Sequence, residues 1–233
     1  MSTKSKYVSG ALVYYDDYEQ RWIKAIGPTV REWELRIGTD FTTGCEFTNT
    51  PVEAGAGDSI TSQAITAGNR MLMTNAGNEN DGCNIQLVGT PFQIAADKPV
   101  YFGVKMSISD ATETDLLVGL ASTDTTLIAA HAITVINGVF FYKDDDATAI
   151  TTNTMKASVN SDATVGTAMD TSKHVYEILF DGTSLSYFFD GALVNTVTSG
   201  WPTVVLTPSI SLMNGAAAVK TGLVEWMRCI QIG

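Results

Sequence analysis

The chain has 233 residues, of which 45% are hydrophobic and only 17% charged, with a net charge of -11. The hydrophobic share excludes a disordered chain, and the acidic balance argues against a free nucleic-acid binder, which needs a basic patch. The length suits one large all-β domain or two small ones, and so few charges leave a surface of Thr, Ser, Asn and Gly or one covered by a partner.

Three cysteines, Cys45, Cys83 and Cys229, lie far apart and form no C-x-x-C pair. Together with two histidines they cannot build a Cys/His zinc cluster. Buried free thiols and a reducing cytosol are expected, with one disulfide plus a free thiol left open. The start MSTKSKYVSG has no apolar run behind Lys4 and Lys6, so no secretory signal is read there. No stretch approaches 18 apolar residues, so no membrane span is expected.

In chain order, Tyr7 to Tyr15 (YVSGALVYY) reads as a strand with a glycine kink, paired with Arg21 to Ile26. Pro28 to Ile37 fits a short helix opened by Pro28 or a strand, with extended structure preferred. Asp40 to Pro51 reads as a strand. Glu53 to Asp58 is a flexible glycine-rich turn lacking the lysine and spacing of a phosphate cradle. Ser59 to Ile65, Arg70 to Thr74 and Cys83 to Val88 are short strands, with the loop NAGNENDG (Asn75 to Gly82) between the last two. Phe92 to Lys98 is a connector.

Val100 to Ile108 is a clear strand. Leu116 to Ala121 (LLVGLA) is a continuous apolar run, expected to be buried on both faces. Thr126 to Ala132 fits a short helix or an extended loop. Asn137-Gly138 signals a hairpin leading into Val139 to Tyr142. Lys143 to Asp146 (KDDD) is a loop tip, Ala149 to Thr151 and Met155 to Val159 are weak strands, and Asn160 to Asp170 is polar.

His174 to Val197 reads as three strands, His174 to Phe180, Leu185 to Phe189 and Leu193 to Val197. Asp181-Gly182 and Asp190-Gly191 separate them as type I′ turns, because Gly accepts and Asp tolerates positive φ. Val204 to Met213 is a strand interrupted at Pro208, which predicts an edge or a bulge. Leu223 to Ile232 alternates strictly, with Val224, Trp226, Arg228 and Ile230 on one face. Trp226 is therefore read as core. Many short strands with hardly any helical period predict an antiparallel β-sandwich. A boundary near Gly38 to Thr42 divides it into an N-terminal arm, residues 1–40, and a sandwich, residues 41–233.

The succession VYFGVKMSI, LLVGLA, NGVFFY, HVYEILFDGTSLSYFFDGALVNTV, LTPSISLMNG and LVEWMRCIQI resembles the concanavalin A-like (laminin G-like) jelly roll, over Phe92 to Gly233. Tyr176 to Val194 fits the paired-strand pattern common in that family. The family includes lectins, glucanases and structural modules. The E-x-D-x-x-E strand with which its glucanases attack and protonate a glycosidic bond is absent here, so no enzyme is expected. The lectins' Asp/Asn calcium constellation finds no residue-by-residue match. The whole chain also resembles small virion proteins of tailed bacteriophages, with an apolar N-terminal arm before a Thr/Ala/Gly-rich jelly roll.

Individual residues are read conservatively. Asp144, Asp145 and Asp146 could attract calcium, as could Asn78, Glu79, Asn80 and Asp81, yet both groups read as solvated tips. Asp181 and Asp190 are turn residues, and His131 and His174 are lone histidines without a nucleophile motif. Trp201, between Gly200 and Pro202, is the aromatic best placed to stack on a sugar. Lys4, Lys6, Tyr7, Arg21, Trp22, Lys24, Arg31, Trp33 and Arg36 gather positive and aromatic character in the N-terminal part.

The resulting expectation is a non-enzymatic capsid decoration protein without cofactor or metal. Its N-terminal arm would clamp the major capsid protein on the virion exterior after assembly in the host cytoplasm. It would form a homo-trimer or dimer and bind neither nucleic acid nor membrane. The alternative is a carbohydrate-binding virion or fibre module that engages a surface glycan.

Overall fold

The computed structural model describes the backbone of residues 4–8, 11–15, 30–35, 47–52, 59–65, 68–89, 91–96 and 98–232, and the side chains of 47–52, 70–89, 91–96 and 98–231. Every regular element among them is a β-strand. The chain opens with β1 (Lys4–Val8), β2 (Ala11–Tyr15) and β3 (Val30–Leu35). It continues through β4 (Phe47–Val52), β5 (Ser59–Ile65), β6 (Gly68–Thr74), β7 (Gly82–Leu87) and β8 (Phe92–Gln93). Next come β9 (Val100–Ile108), β10 (Thr114–Ala121), β11 (Ile128–Ala129) and β12 (Ala132–Ile133). The meander strands are β13 (Gly138–Lys143), β14 (Ala149–Lys156), β15 (Val159–Ala168), β16 (His174–Phe180), β17 (Leu185–Phe189) and β18 (Ala192–Val197). The last two are β19 (Val205–Asn214) and β20 (Thr221–Ile232).

Two antiparallel sheets form a sandwich. The first has the order β15-β14-β13-β10-β19-β7-β4, with β8 also paired to β19. The second has the order β18-β17-β16-β9-β20-β6-β5, with β3 also paired to β20. Alternation builds the core between them. Val100, Phe102, Val104 and Met106 from β9, with Tyr176, Ile178 and Phe180 from β16, face Leu116, Val118 and Leu120 from β10 and Val139 and Phe141 from β13. The opposite face of β10 is covered too, because Leu117 and Ala121 pack under Leu127, Ile128 and Val135 of the 122–137 excursion. The continuous apolar run LLVGLA is thus buried on both faces, as its composition predicts.

Gly119 lies under that excursion. A Cβ there would overlap the Val139 carbonyl and the Phe140 Cα, which are backbone atoms that cannot swing aside. Gly119→Ala is therefore expected to force β10 and β13 apart, at a cost of about 2–3 kcal/mol read from the urea midpoint.

Several local readings change. Tyr7 to Tyr15 is not one strand: β1 and β2 pair antiparallel from Lys4↔Tyr15 to Val8↔Ala11. The expected partner, Arg21 to Ile26, lies outside the described residues. β3 pairs with β20 (Leu35↔Met227 to Val30↔Ile232), so these residues of the N-terminal stretch join the second sheet.

Thr126 to Ala132 holds a tiny β11–β12 hairpin whose two turn residues, Ala130 (φ 43) and His131 (φ 63), are both left-handed. Asn137-Gly138 makes no hairpin. The Asn137 side chain instead accepts from Ala157 N at 3.0 Å, bracing the β14–β15 turn at Ala157 (φ 50) and Ser158 (φ 64). That turn carries no glycine, which is why β15 escaped the sequence reading.

Asp190 (φ 48) and Gly191 (φ 80) form the expected two-residue turn. Asp181 differs. Its carboxylate accepts from Thr183 N and Ser184 N at 2.8 and 2.7 Å, closing a four-residue loop as an Asx turn. Pro208 is in a central strand, not at an edge. It falls between the β8 pairing at Val205–Leu206 and the β7 pairing that begins at Ser209, and Thr207 Oγ1 donates to the Leu87 carbonyl at 2.8 Å in that gap. Cys229 is a buried free thiol and Cys83 is buried in the core, and Cys45 lies outside the described residues.

β20 breaks the alternation expected of it. A bulge at Glu225, between the Val224↔Met106 and Trp226↔Lys105 pairs, inserts one residue. Val224 faces the core before the bulge, and Met227 and Cys229 face it afterwards. Trp226 consequently turns to the outer face and is only half-buried, which corrects its reading as core.

Candidate functional site

At one end of the first sheet, four segments meet: the start of β10, the β11–β12 turn, the KDDD loop and the NAGNENDG loop. Asp115 sits at the centre, fully buried at the head of β10. A buried carboxylate needs donors, and it has them. Asp115 Oδ2 lies 2.7 Å from His131 Nδ1. Asp115 Oδ1 accepts from Asp145 N at 2.9 Å and lies 3.2 Å from the Tyr142 hydroxyl, which donates to the His131 carbonyl at 2.8 Å. The left-handed turn is what points the imidazole down onto Asp115.

Asp145 Oδ1 stands 3.5 Å from His131 Nδ1, and Glu79 Oε1 stands 3.8 Å from His131 Nε2. Lys143 fixes the KDDD loop by donating its Nζ to the carbonyls of Thr112 (3.0 Å) and Asp145 (3.3 Å). The NAGNENDG loop is knitted by buried amides. Asn214 Nδ2 donates to the carbonyls of Ala76 and Asn78 at 2.7 and 2.9 Å, and Asn75 Nδ2 donates to Asn214 Oδ1 at 3.0 Å. Neither loop is therefore the free solvated tip that its composition suggested. Only Asp146 of the acidic triplet is fully exposed.

The electrostatics are lopsided. Burial works against a charged His131, but the hydrogen bond to Asp115 and the charges of Asp115, Asp145 and Glu79 outweigh it and hold the imidazolium above its ordinary range. Burial, a hydrogen bond from Asp144 and the charge of Asp115 push Asp145 up to about 6. One oxygen or nitrogen from each of Asp115, His131 and Asp145 lies within 4.8 Å of the others. His131 Nε2 is screened from solvent and has no hydrogen-bond partner among the described residues. Two carboxylates and one imidazole, three donors in all, fit a divalent cation. The mixed oxygen and nitrogen set suits zinc or manganese better than calcium, which prefers oxygen alone.

The residues singled out in the sequence are dispersed. Lys4, Lys6 and Tyr7 lie on β1, and Arg31 and Trp33 on β3. Arg21, Trp22, Lys24 and Arg36 lie outside the described residues. Trp201 is half-buried against the core, its ring 5.1 Å from Phe180. His174 is not lone, for Asp190 holds its Nδ1 at 2.8 Å and Asp170 its Nε2 at 3.1 Å. Asp115 was missed altogether. Its one signal is a carboxylate placed directly before an apolar run.

No family pattern and no curated protein matches the sequence. Solved structures match the fold. A Bacillus licheniformis β-glucanase superposes with a TM-score of 0.59 at 14% identity, over 84% of this chain and 96% of its own. The carbohydrate recognition domain of Emp46p, in a potassium-bound form, gives 0.53 at 10% over 79% and 88%. The alginate lyase AlyC3 gives 0.51 at 9% over 70% and 75%. The chain thus has the concanavalin A-like lectin and glucanase jelly-roll fold. The expectation of a non-enzymatic protein is corrected here, because the matched sandwiches include a β-glucanase and a lyase as well as a carbohydrate recognition domain. Lack of one glucanase motif does not exclude catalysis. Nothing in these likenesses points to a phage virion protein.

Proposed function

We propose that this chain is a carbohydrate-binding domain, with the Asp115–His131–Asp145 centre holding a divalent cation that sets the shape of the surrounding loops. The observation that carries the reading is the donor cluster itself, short of positive charge and built on a fold shared with carbohydrate recognition domains. Asp115, His131 and Asp145 would hold the cation. Bound there, it would supply the missing charge and fix Glu79 and the KDDD loop for polar contacts with sugar hydroxyls. Trp201 is the aromatic that a sugar ring could meet elsewhere on the surface.

A glycan array with and without a chelator tests this. Binding that is lost on chelation, restored by manganese or zinc and absent in Asp115→Asn is the expected result. Binding indifferent to both chelation and Asp115→Asn would sink the cation role, and no glycan binding at all would sink the reading. Trp201→Ala, run in parallel, lowers binding only if its ring meets the sugar.

A second reading is favoured by Asp145, which stands 3.5 Å from His131 Nδ1 beside buried Asp115 and whose carboxyl is pushed up to about 6 by burial, Asp144 and the charge of Asp115, toward the range of a general acid. In this reading the bound glycan is cleaved. Release of new reducing ends, absent in Asp145→Asn, is its signature.

A further inference from the structure

On the outer face of the second sheet, three cations converge on one carboxylate. Glu225 Oε1 accepts from Arg70 Nη2 at 2.8 Å and Lys173 Nζ at 2.5 Å, and Glu225 Oε2 from Lys105 Nζ at 2.9 Å. Among the described residues the site is a notch: β6 pairs with β20 only over Thr221–Val224 and β3 only from Met227, so the bulge at Glu225 and Trp226 falls where β20 has no paired neighbour on that side. The cations come from three separate places, namely β6, β9 and the loop before β16.

The charge count is unusual for this chain. Three of the eight lysines and arginines between residues 47 and 231 meet here, in a protein of net charge -11. Burial disfavours the Glu225 charge, yet the hydrogen bonds and charges of Lys173 and Lys105 outweigh it and hold the carboxyl below its usual range. One carboxylate neutralises one cation. A purely structural ion pair needs no more than that, so among the described residues two positive charges are left over. Lys105 and Lys173 keep 35% and 38% of their side-chain surface exposed, so solvent reaches both side chains. The buried Nε of Arg70 has no acceptor among the described residues. Trp226 stands on the same face, on the rung of Lys105, and is half-exposed. An aromatic face beside surplus cations matches a sugar ring carrying an acid group.

We propose that this notch is a second binding site, specific for a uronic-acid residue of an acidic glycan. Lys105 and Lys173 take the sugar carboxylate, Glu225 holds the cations in place, and Trp226 covers the apolar side of the ring. The site lies on the sheet opposite to that of Asp115 and does not depend on the centre there.

Titration of the full chain with trigalacturonate, with cellotriose as the neutral control, tests it. Saturable binding of the acidic trimer is expected, weakened about tenfold in Lys105→Ala/Lys173→Ala, reduced in Trp226→Ala and in high salt, and unchanged in Lys156→Ala. Lys173→Gln, an exposed single change, serves if the double variant unfolds. The proposal is overturned by absent binding, by equal binding of cellotriose, by a double variant or Lys173→Gln that binds as well as the parent, or by inorganic sulfate binding as tightly as the trimer. Loss in Asp115→Asn alone would move the site to the first sheet and overturn it as well.

Discussion

Asp115→Ala is expected to destabilise the fold by about 3 kcal/mol and to abolish cation binding. The substitution removes the acceptor for Asp145 N and the nearest counter-charge of His131, so a donor loses its partner and the imidazolium its hydrogen bond. Urea unfolding gives the first number and calorimetric titration with manganese or zinc the second. Asp115→Asn keeps the shape and separates the effects, costing less stability while still losing the cation. The sign of the pH dependence is fixed by two raised groups. Asp145, lifted to about 6, and His131, held above its ordinary value, bind protons more tightly folded than unfolded. Their contribution to stability is complete at acidic pH, below the unfolded values, and is lost as pH rises through the folded ones. A cation must displace those protons, so its affinity should rise over the same interval. Asp145→Asn should flatten both profiles near pH 6. A cation affinity independent of pH would show that these groups are not its ligands.

The second large effect belongs to Phe141. Its ring meets Tyr176 and Tyr187 edge-on, each at a centroid distance of 5.5 Å, and so joins the first sheet to the second. The Tyr187 hydroxyl donates to the Asn153 carbonyl at 2.8 Å, which ties the same cluster to β14. Phe141→Ala should cost about 3–5 kcal/mol, from lost burial plus the cavity left behind. For a chain of this size that is a fall in Tm on the order of 10 °C. Phe141→Leu should recover more than half of it. A loss below 1 kcal/mol on Phe141→Ala would mean that the two sheets do not depend on this contact.

The fold was legible where local chemistry and packing agree. His174 to Val197 states its own strands, since its turns need Asp and Gly and its flanks are aromatic. LLVGLA declared burial on both faces through uninterrupted apolar content. What stayed hidden depends on partners distant in the chain. Asn137-Gly138 has the composition of a turn but is used as a brace, and Ala157-Ser158 makes a turn without that composition. The phase of Trp226 cannot be read past a bulge at Glu225, whose carboxylate partners come from residues 70, 105 and 173. The His131 centre is half visible in the sequence, since both acidic loops stand out but nothing local links them. Only the β11–β12 turn brings them to Asp115, and its left-handed Ala-His pair has no sequence signature.

The order in which the sheets are filled has a consequence for synthesis. β19 lies between β10 and β7, and β20 between β9 and β6, so residues 205–232 occupy the middle of both sheets. Until they leave the ribosome, each half-sheet presents an unpaired edge with no neighbour to close it. The meanders β13–β15 and β16–β18 can form early, being joined by short turns. The sandwich as a whole must wait for its central strands, which favours slow folding and exposes the nascent chain to edge pairing with other chains. Stalling or truncation just before residue 205 should therefore yield an aggregating product, whereas release of the complete stretch closes both layers at once.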